Sequence, residues 1–293
     1  MRIGFLGLGA IGRPIAMHLA RTHQLRVWNR TAAKATSFAK ETGAVAVPMP
    51  RDAAIDAEVV FTCLPNSPEV EEVLGGGLEG GLGPDATLVD LTSGIPETSR
   101  RIAGRLSNRG IGWLDAPVSG GTAGAETGTL TIMVGGEAPV FSRVLPALEL
   151  FGKRIVHVGP AGAGHALKAV HNMLIAVNVF ALGEGLTTLA KAGVAPRTAL
   201  EVINNANGRS FVSERLVPER VLSGAWPRTF RLALLDKDVA IARDLARTEG
   251  IDAPMMDRVS ELLHQAHAEL GEEADHVEAI RLHERRAGVE LRG

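Results

Sequence analysis

Arg2-Ile-Gly-Phe-Leu-Gly-Leu-Gly-Ala-Ile-Gly12 decides the fold, because an apolar strand-like run enters directly into a G-x-G-x-x-G turn. Gly7 permits the tight turn, Gly9 lets a diphosphate approach the backbone, and Gly12 lets the next helix pack on the sheet. The N-terminus of that helix attracts phosphate charge. Alone the motif is weak; a strand before it, and Ile15, Ala16 and Leu19 sharing a helix face after it, make Gly7, Leu8, Gly9, Ala10, Ile11 and Gly12 a predicted dinucleotide-binding turn. Working outward, apolar runs at 3–6, 25–28, 59–63, 87–90, 112–115 and 130–134 alternate with helical segments such as 32–42. That alternation predicts an α/β domain with a parallel, doubly wound sheet covered on both faces. Glycines at 75–77, 80, 81 and 83, followed by Pro84, predict a loop.

Beyond Gly159-Pro160 strand-like runs largely disappear. The stretch 162–193 contains no proline and predicts a helix about 45 Å long, enough to leave one domain and enter another. Pro196 is placed to start the next helix at its first turn. Further helical patterns cover 198–205, 212–221, 233–248, 254–270 and 277–286. The expected organisation is a Rossmann domain over 1–160 and an all-α domain over 161–293 that begins with the interdomain helix, with chemistry in the cleft between them.

Of the 293 residues 45% are apolar and 22% charged, a composition that supports a substantial core. The formal charge of −2 gives no reason to expect nucleic acid or an anionic membrane as partner. Cys63 is the single cysteine, so no intramolecular disulfide exists; its apolar setting predicts a buried thiol and a reducing, cytoplasmic environment. No basic, apolar and cleavage regions precede the first strand, so no signal peptide is expected. No uninterrupted apolar stretch reaches membrane-spanning length; the longest, 173–183, carries Asn178 between His171 and Glu184 and reads as a buried core helix. His264 and His267 have a spacing compatible with a metal, but no acidic or cysteine cluster beside them, so they are read as a solvated face and no metal is expected.

The end of the second strand bears on which dinucleotide binds. Val27-Trp-Asn-Arg-Thr31 lacks the carboxylate that usually binds the ribose hydroxyls of NAD. Arg30 can pair with a 2′-phosphate, and Asn29 and Thr31 can donate to it, so NADP(H) is favoured, with NAD(H) possible. After a further strand comes Asp115-Ala-Pro-Val-Ser-Gly-Gly-Thr-Ala-Gly-Ala-Glu-Thr-Gly-Thr129, which places Ser119, Gly120 and Gly121 where exposed amides and a hydroxyl suit a carboxylate. From spacing alone, a plain glycine-rich connection is an equal reading.

Lys168 precedes Asn172 by four residues, so on a helix an ammonium and a carboxamide share one face. A mid-helix lysine is ordinarily solvated, but Leu167, Ala169 and Val170 argue for enclosure. An enclosed lysine beside a nicotinamide can protonate the alkoxide that develops on hydride delivery, or remove the alcohol proton in the reverse direction.

These pieces resemble the β-hydroxyacid dehydrogenase family, which includes 3-hydroxyisobutyrate dehydrogenases and the tartronate, glyoxylate and succinic semialdehyde reductases, with 6-phosphogluconate dehydrogenase as a larger relative. The resemblance runs over nearly the whole chain: 7–12, Leu64-Pro65, Asp90-Leu-Thr-Ser93, 115–121, Gly162-Ala-Gly-His-Ala-Leu-Lys168 with Asn172, and Lys237-Asp238. It implies that Lys168 is the general acid/base, that Ser119, Gly120 and Gly121 hold a small substrate carboxylate, and that Asn172 orients substrate and lysine. It further implies that Leu64, Pro65, Ser93 and Lys237 line the cofactor, and that the helical domain makes a homodimer or homotetramer. The Asn29-Arg30-Thr31 segment is similar to that of the family's NADPH-dependent semialdehyde reductases. One departure is His171-Asn172 where two asparagines are usual, a pattern similar to 6-phosphogluconate enzymes; His171 could touch substrate or pack as a core histidine. Those enzymes use a tyrosine for phosphate and a longer helical domain, and this chain has no tyrosine. An imine-reducing enzyme and a non-catalytic NADP(H)-binding interaction protein are the alternatives, both disfavoured by Lys168.

Overall fold

The computed structural model describes residues 1–293. The chain divides into two compact units, 1–168 and 169–293, with the division inside one continuous helix, Ala163–Lys191. The first turns of that helix, Lys168 included, therefore belong with the sheet-bearing unit.

That unit is built on nine strands: β1 (Arg2–Leu6), β2 (Gln24–Trp28), β3 (Val45–Ala46), β4 (Val59–Thr62), β5 (Thr87–Asp90), β6 (Gly112–Asp115), β7 (Val118–Ser119), β8 (Leu130–Gly136) and β9 (Gly152–Gly159). The order is β3-β2-β1-β4-β5-β6-β8-β7, with β9 also pairing β8. From β3 to β6 every pairing is parallel. Beyond that point the parallel-dominated sheet becomes mixed, since β8 runs antiparallel to β6 and to β7. β9 was not foreseen: it pairs parallel with β8 but keeps several residues exposed, so its side chains lack the apolar run that marks a doubly covered strand.

Alternation along the central strands sorts side chains between two cores, as a period of two requires. Ile3 and Phe5, Val59 and Phe61, Val89, and Leu114 face a layer with Ile15, Leu19, Phe38 and Phe151. Leu6, Val60, Leu88 and Trp113 face the other, with Val70, Leu74, Leu78 and Ile102. Phe61 stacks on Phe5 at 6.0 Å and meets Phe151 edge-on at 6.1 Å. The glycine-rich stretch predicted as a loop instead continues as a helical turn over Leu74–Leu78, kinked at Gly77 (φ 114°), and a short helix, Glu79–Gly81; burial of Leu74 and Leu78 holds it against the sheet.

The second unit has no strands, and its helices include Pro196–Asn204, Leu232–Thr248, Pro254–Leu270 and Ile280–Ala287. The segment Val212–Leu222 is π-helical and the start of the last predicted helix is a 3₁₀ turn, His276–Ala279. The Ala163–Lys191 helix is long and apolar enough to cross a membrane by length and composition only, and its apolar run is interrupted by Lys168, Asn172 and Glu184. Its residues Ala169, Met173, Ala176, Val179, Phe180 and Leu186 instead lie in the core of the second unit. Their partners there include Leu216, Leu235, Val239, Leu263 and Ile280.

Candidate active site

Parallel strands in register deliver their following loops to one edge of a sheet, where open α/β sheets bind ligands. Here Leu6 pairs with Trp28 and Thr62, Thr62 with Asp90, and Asp90 with Asp115. The segments that follow are 7–12, 29–31, 63–66, 91–95 and 116–121, so predicted residues more than 100 positions apart emerge along one carboxyl edge.

Each glycine of the first turn has a separate physical reason. Gly7 has φ 101°, and a Cβ there would collide with the Cys63 carbonyl. A Cβ on Gly12 would collide with the Gly7 carbonyl. A Cβ on Gly9 would meet nothing within 4 Å, so packing does not demand glycine there and the open space is what a close-lying diphosphate needs. The Gly12–Ala20 helix has no side-chain cap and no acidic residue in its first turn, leaving amides and helix dipole available to an anion. The residues present thus fit a dinucleotide.

Asn29 does less for a cofactor phosphate than the sequence suggested: its Oδ1 accepts from the Leu8 amide at 2.9 Å and its Nδ2 donates to the Thr31 carbonyl at 3.1 Å. It braces the glycine turn. Arg30 and Thr31 are exposed at the same strand end. Leu64 and Ser93 are half-buried in the loops after β4 and β5, and Pro65 is exposed. Leu64 is fixed by its amide, which donates to Thr92 Oγ1 at 3.1 Å. The Cys63 thiol is pushed up to about 12, first by burial and then by the charge of Asp90, and so stays a neutral packing group.

Ser119 ends β7, and Gly120 and Gly121, with φ 134° and 63°, turn into the Gly121–Thr127 helix, which has no side-chain cap. Both glycines are exposed. His18, unremarked in the sequence, reaches this segment: its Nε2 lies 3.0 Å from the carbonyl oxygens of Ala125 and Glu126, tying the cofactor helix to the Ser119 loop.

Lys168 is buried at 8% exposure. Its helix is anchored by a residue quoted in the sequence only as part of a motif. Asp115 accepts at Oδ1 from the Gly162 amide (2.7 Å) and at Oδ2 from the His165 amide (2.9 Å). These are otherwise unsatisfied donors at a helix start. Ser99 Oγ also donates to Asp115 Oδ1 at 2.9 Å and accepts from Trp113 Nε1 at 2.8 Å. Close approach requires Gly164, where a Cβ would strike the Met133 and Asp115 carbonyls. The available signal was an acidic residue ending a strand of buried apolar residues.

In the second unit Asn172 is buried, and its Nδ2 donates to Asp238 Oδ2 at 2.5 Å. Lys237 Nζ lies 3.1 Å from Asp238 Oδ1. Asp238, at 2% exposure, is therefore a buried carboxylate that holds both side chains. His171 is half-buried on the same helix. His264 and His267 do have an acidic neighbour, supplied by the fold and invisible in the local sequence: Asp236 Oδ2 lies 3.2 and 2.9 Å from their Nδ1 atoms, and Glu272 lies 3.2 Å from His267 Nε2.

Two cavities, about 450 and 570 Å³, open elsewhere, at the amino edge of the sheet beside Arg2, Gln24, Ala57 and Thr87. They are lined by none of the site residues just described.

Residues 2–159 match the family described as the NAD binding domain of 6-phosphogluconate dehydrogenase, and residues 162–283 the one described as NAD-binding of NADP-dependent 3-hydroxyisobutyrate dehydrogenase. The chain is 35% identical over 297 aligned residues to 2-(hydroxymethyl)glutarate dehydrogenase of Eubacterium barkeri, covering 100% of this chain and 98% of the relative. It is 36% identical to 2-hydroxy-3-oxopropionate reductase of Escherichia coli, covering 96% and 98%. Among solved structures, Mycobacterium tuberculosis 3-hydroxyisobutyrate dehydrogenase with L-serine superimposes with a TM-score of 0.89 at 29% identity, covering 96% and 98% of the two chains. With motifs, sheet order and helical unit in agreement over its whole length, the chain belongs to the β-hydroxyacid dehydrogenase family and is an NAD(P)-dependent oxidoreductase of hydroxy acids.

Proposed function

We propose that this enzyme prefers NADP(H) and interconverts a small β-hydroxy acid with its semialdehyde or oxo acid, with Lys168 as general acid and base. The observation that carries the reading is a buried lysine one turn beyond the point where its helix is tied to the carboxyl edge of the dinucleotide-binding sheet.

The cofactor, when bound, supplies or accepts the hydride. Gly7 to Gly12 receive its diphosphate, and Arg30, which has no carboxylate at the neighbouring strand end to neutralise it, pairs with the 2′-phosphate. Ser119 with the amides of Gly120 and Gly121 holds the substrate carboxylate. In reduction the Lys168 ammonium gives a proton to the oxygen on which negative charge develops; in oxidation its neutral amine takes the alcohol proton. Asn172, held by Asp238, presents a fixed carboxamide to the substrate.

A panel of glyoxylate and of succinic, tartronate and methylmalonate semialdehydes, read by NADPH oxidation, tests the reaction class. The reverse panel uses 3-hydroxyisobutyrate and serine with both NADP and NAD. Absence of turnover on every member, with NADPH still bound, would leave only a nucleotide-binding protein. Arg30→Asp should lower the NADP over NAD ratio of kcat/KM by about tenfold to a hundredfold, the scale of one charge-assisted contact. An unchanged ratio sinks the 2′-phosphate assignment.

A further inference from the structure

Beside the proton-transfer residues lies a group that the proposed reaction does not use. His165 is 1% exposed, and neither of its ring nitrogens makes a hydrogen bond. A buried imidazole with unmet hydrogen bonds carries an uncompensated desolvation cost, and an apolar side chain of similar shape would avoid it. Packing alone does not account for histidine here.

The surroundings of His165 are specific. Asp90 and Asp115 end adjacent strands and are register partners, with 1% and 0% exposure. Asp115 receives the His165 main-chain amide at 2.9 Å. Asp90 places Oδ1 on Thr62 Oγ1 (2.8 Å) and the Thr92 amide (3.1 Å), and turns Oδ2 to His165 Nε2 at 3.6 Å. His165 thus addresses both carboxylates, one through its backbone and one through its ring. The ring also lies against the loop that carries Ser93: a Cβ built on Gly94 would stand 2.7 Å from His165 Cε1 and 2.7 Å from Ser67 Oγ.

We propose that His165 is a positioning residue for Lys168, joining the first turn of the Ala163–Lys191 helix to the loop after β5. The proposal rests on the reading of Lys168 as proton donor and acceptor. Three residues along a helix is about 4.5 Å of rise and about 60° of rotation, so a small tilt at His165 is carried directly to the lysine. Proton transfer needs a donor within about 2.6–3.2 Å, and a misplacement of about 1 Å costs on the order of a hundredfold in rate.

The test uses the full-length enzyme and the best substrate of the panel. His165→Phe should lower kcat by about tenfold to a hundredfold, while the NADPH dissociation constant by fluorescence titration stays within about twofold and Tm is nearly unchanged. His165→Gln, which places a polar N–H group on the side that faces Asp90, should recover most of kcat. A free amine is not carried by the helix. In a Lys168→Ala background, with and without added ethylamine, His165→Phe should therefore cost less than about twofold. Wild-type kcat in His165→Phe, an equal loss in both backgrounds, or weakened NADPH binding in step with kcat overturns the positioning role. Should His165→Phe fold poorly, Gly94→Ala drives a methyl onto the ring and should reproduce the kcat loss; an unchanged kcat there overturns the role as well. Full turnover by Lys168→Ala defeats the lysine assignment itself, whereas an inactive Lys168→Ala beside a silent His165→Phe defeats the positioning alone.

Discussion

Asp115 in the sheet unit and Asp275 in the helical unit do the same mechanical work with different consequences. Each is a carboxylate at no more than 2% exposure that gathers main-chain amides from distant segments. Asp115 receives Gly162 and His165. Asp275 receives Thr229 (2.7 Å), Phe230 (2.9 Å) and Val277 (3.2 Å), and closes a capping box with Glu278. Asp275 is also met by Arg220 at 3.3 Å and by His276 at 3.1 Å, whereas the bonds to Asp115 come from neutral donors. The helix held by Asp115 carries Lys168, and the turn held by Asp275 carries none of the proposed chemistry. A buried anion that collects amides is therefore a fastening; function depends on what is fastened.

The largest expected effect separates chemistry from fastening. Lys168→Ala should lower kcat by about 10²–10⁴-fold with Tm close to wild type. More than a few per cent of residual turnover would remove the lysine from the mechanism. Next, Asp115→Ala and Asp275→Ala each strand several buried donors and should each cost about 3–5 kcal/mol in urea unfolding. Under native conditions the Asp115 variant should also lose kcat per folded molecule, and the Asp275 variant should keep it. Equal kcat losses in the two would show that Asp115 has no closer link to Lys168 than Asp275 has.

Asp275 also has a pH signature. Burial opposes ionisation of Asp275, but hydrogen bonding and charge from His276, with the Phe230 and Thr229 amides, outweigh it and hold the carboxyl well below the usual range. Because the folded pKa lies below the unfolded value of about 3.9, this stabilisation is complete above about pH 4 and is lost as pH falls through the folded value. The stability gap between wild type and Asp275→Asn should accordingly shrink in acid, and a gap that is constant from pH 7 downward contradicts the assignment.

His267 gives the smallest effect and the opposite sign. Its hydrogen bond to Asp236 raises its pKa, so stabilisation is present below about pH 6.5 and disappears as pH rises through the folded value. His267→Gln should lower Tm slightly at pH 5.5, by about 1 kcal/mol or less in stability for a half-buried pair that solvent still screens, and not at pH 9. Calorimetry showing the larger loss at pH 9 would reverse the sign.

Much of the sheet was legible because buried parallel strands have a distinctive composition. β5 and β6 were bounded to the residue, as was the Pro254–Leu270 helix, whose proline marks its first turn. β9 was missed because its mixture of exposed and half-buried residues does not resemble a covered strand, and the turn of β8 against β6 has no local sign at all. At the site, the glycine turn, the Ser119 segment and Lys168 could be named from motif and helix spacing. Asp90, Asp115, His165 and His18 could not be given work, since the contacts that tie them to other elements, Thr62, Gly162, Asp90 and Ala125, lie 28 or more residues away and are found only once the fold is known.

The sequence by itself determined the strand-to-helix turn at Gly7, Gly9 and Gly12, the change from β-branched to helical patterning near Gly159, and the presence of a lysine amid apolar neighbours. Those are consequences of steric freedom and hydrophobic period, which are local properties of a chain. Only the tertiary structure decided that Asp90 and Asp115 stand side by side beneath His165, and that Asp238 holds Asn172. The reason is that a buried charge must find donors wherever folding brings them, and sequence distance sets no limit on where they come from.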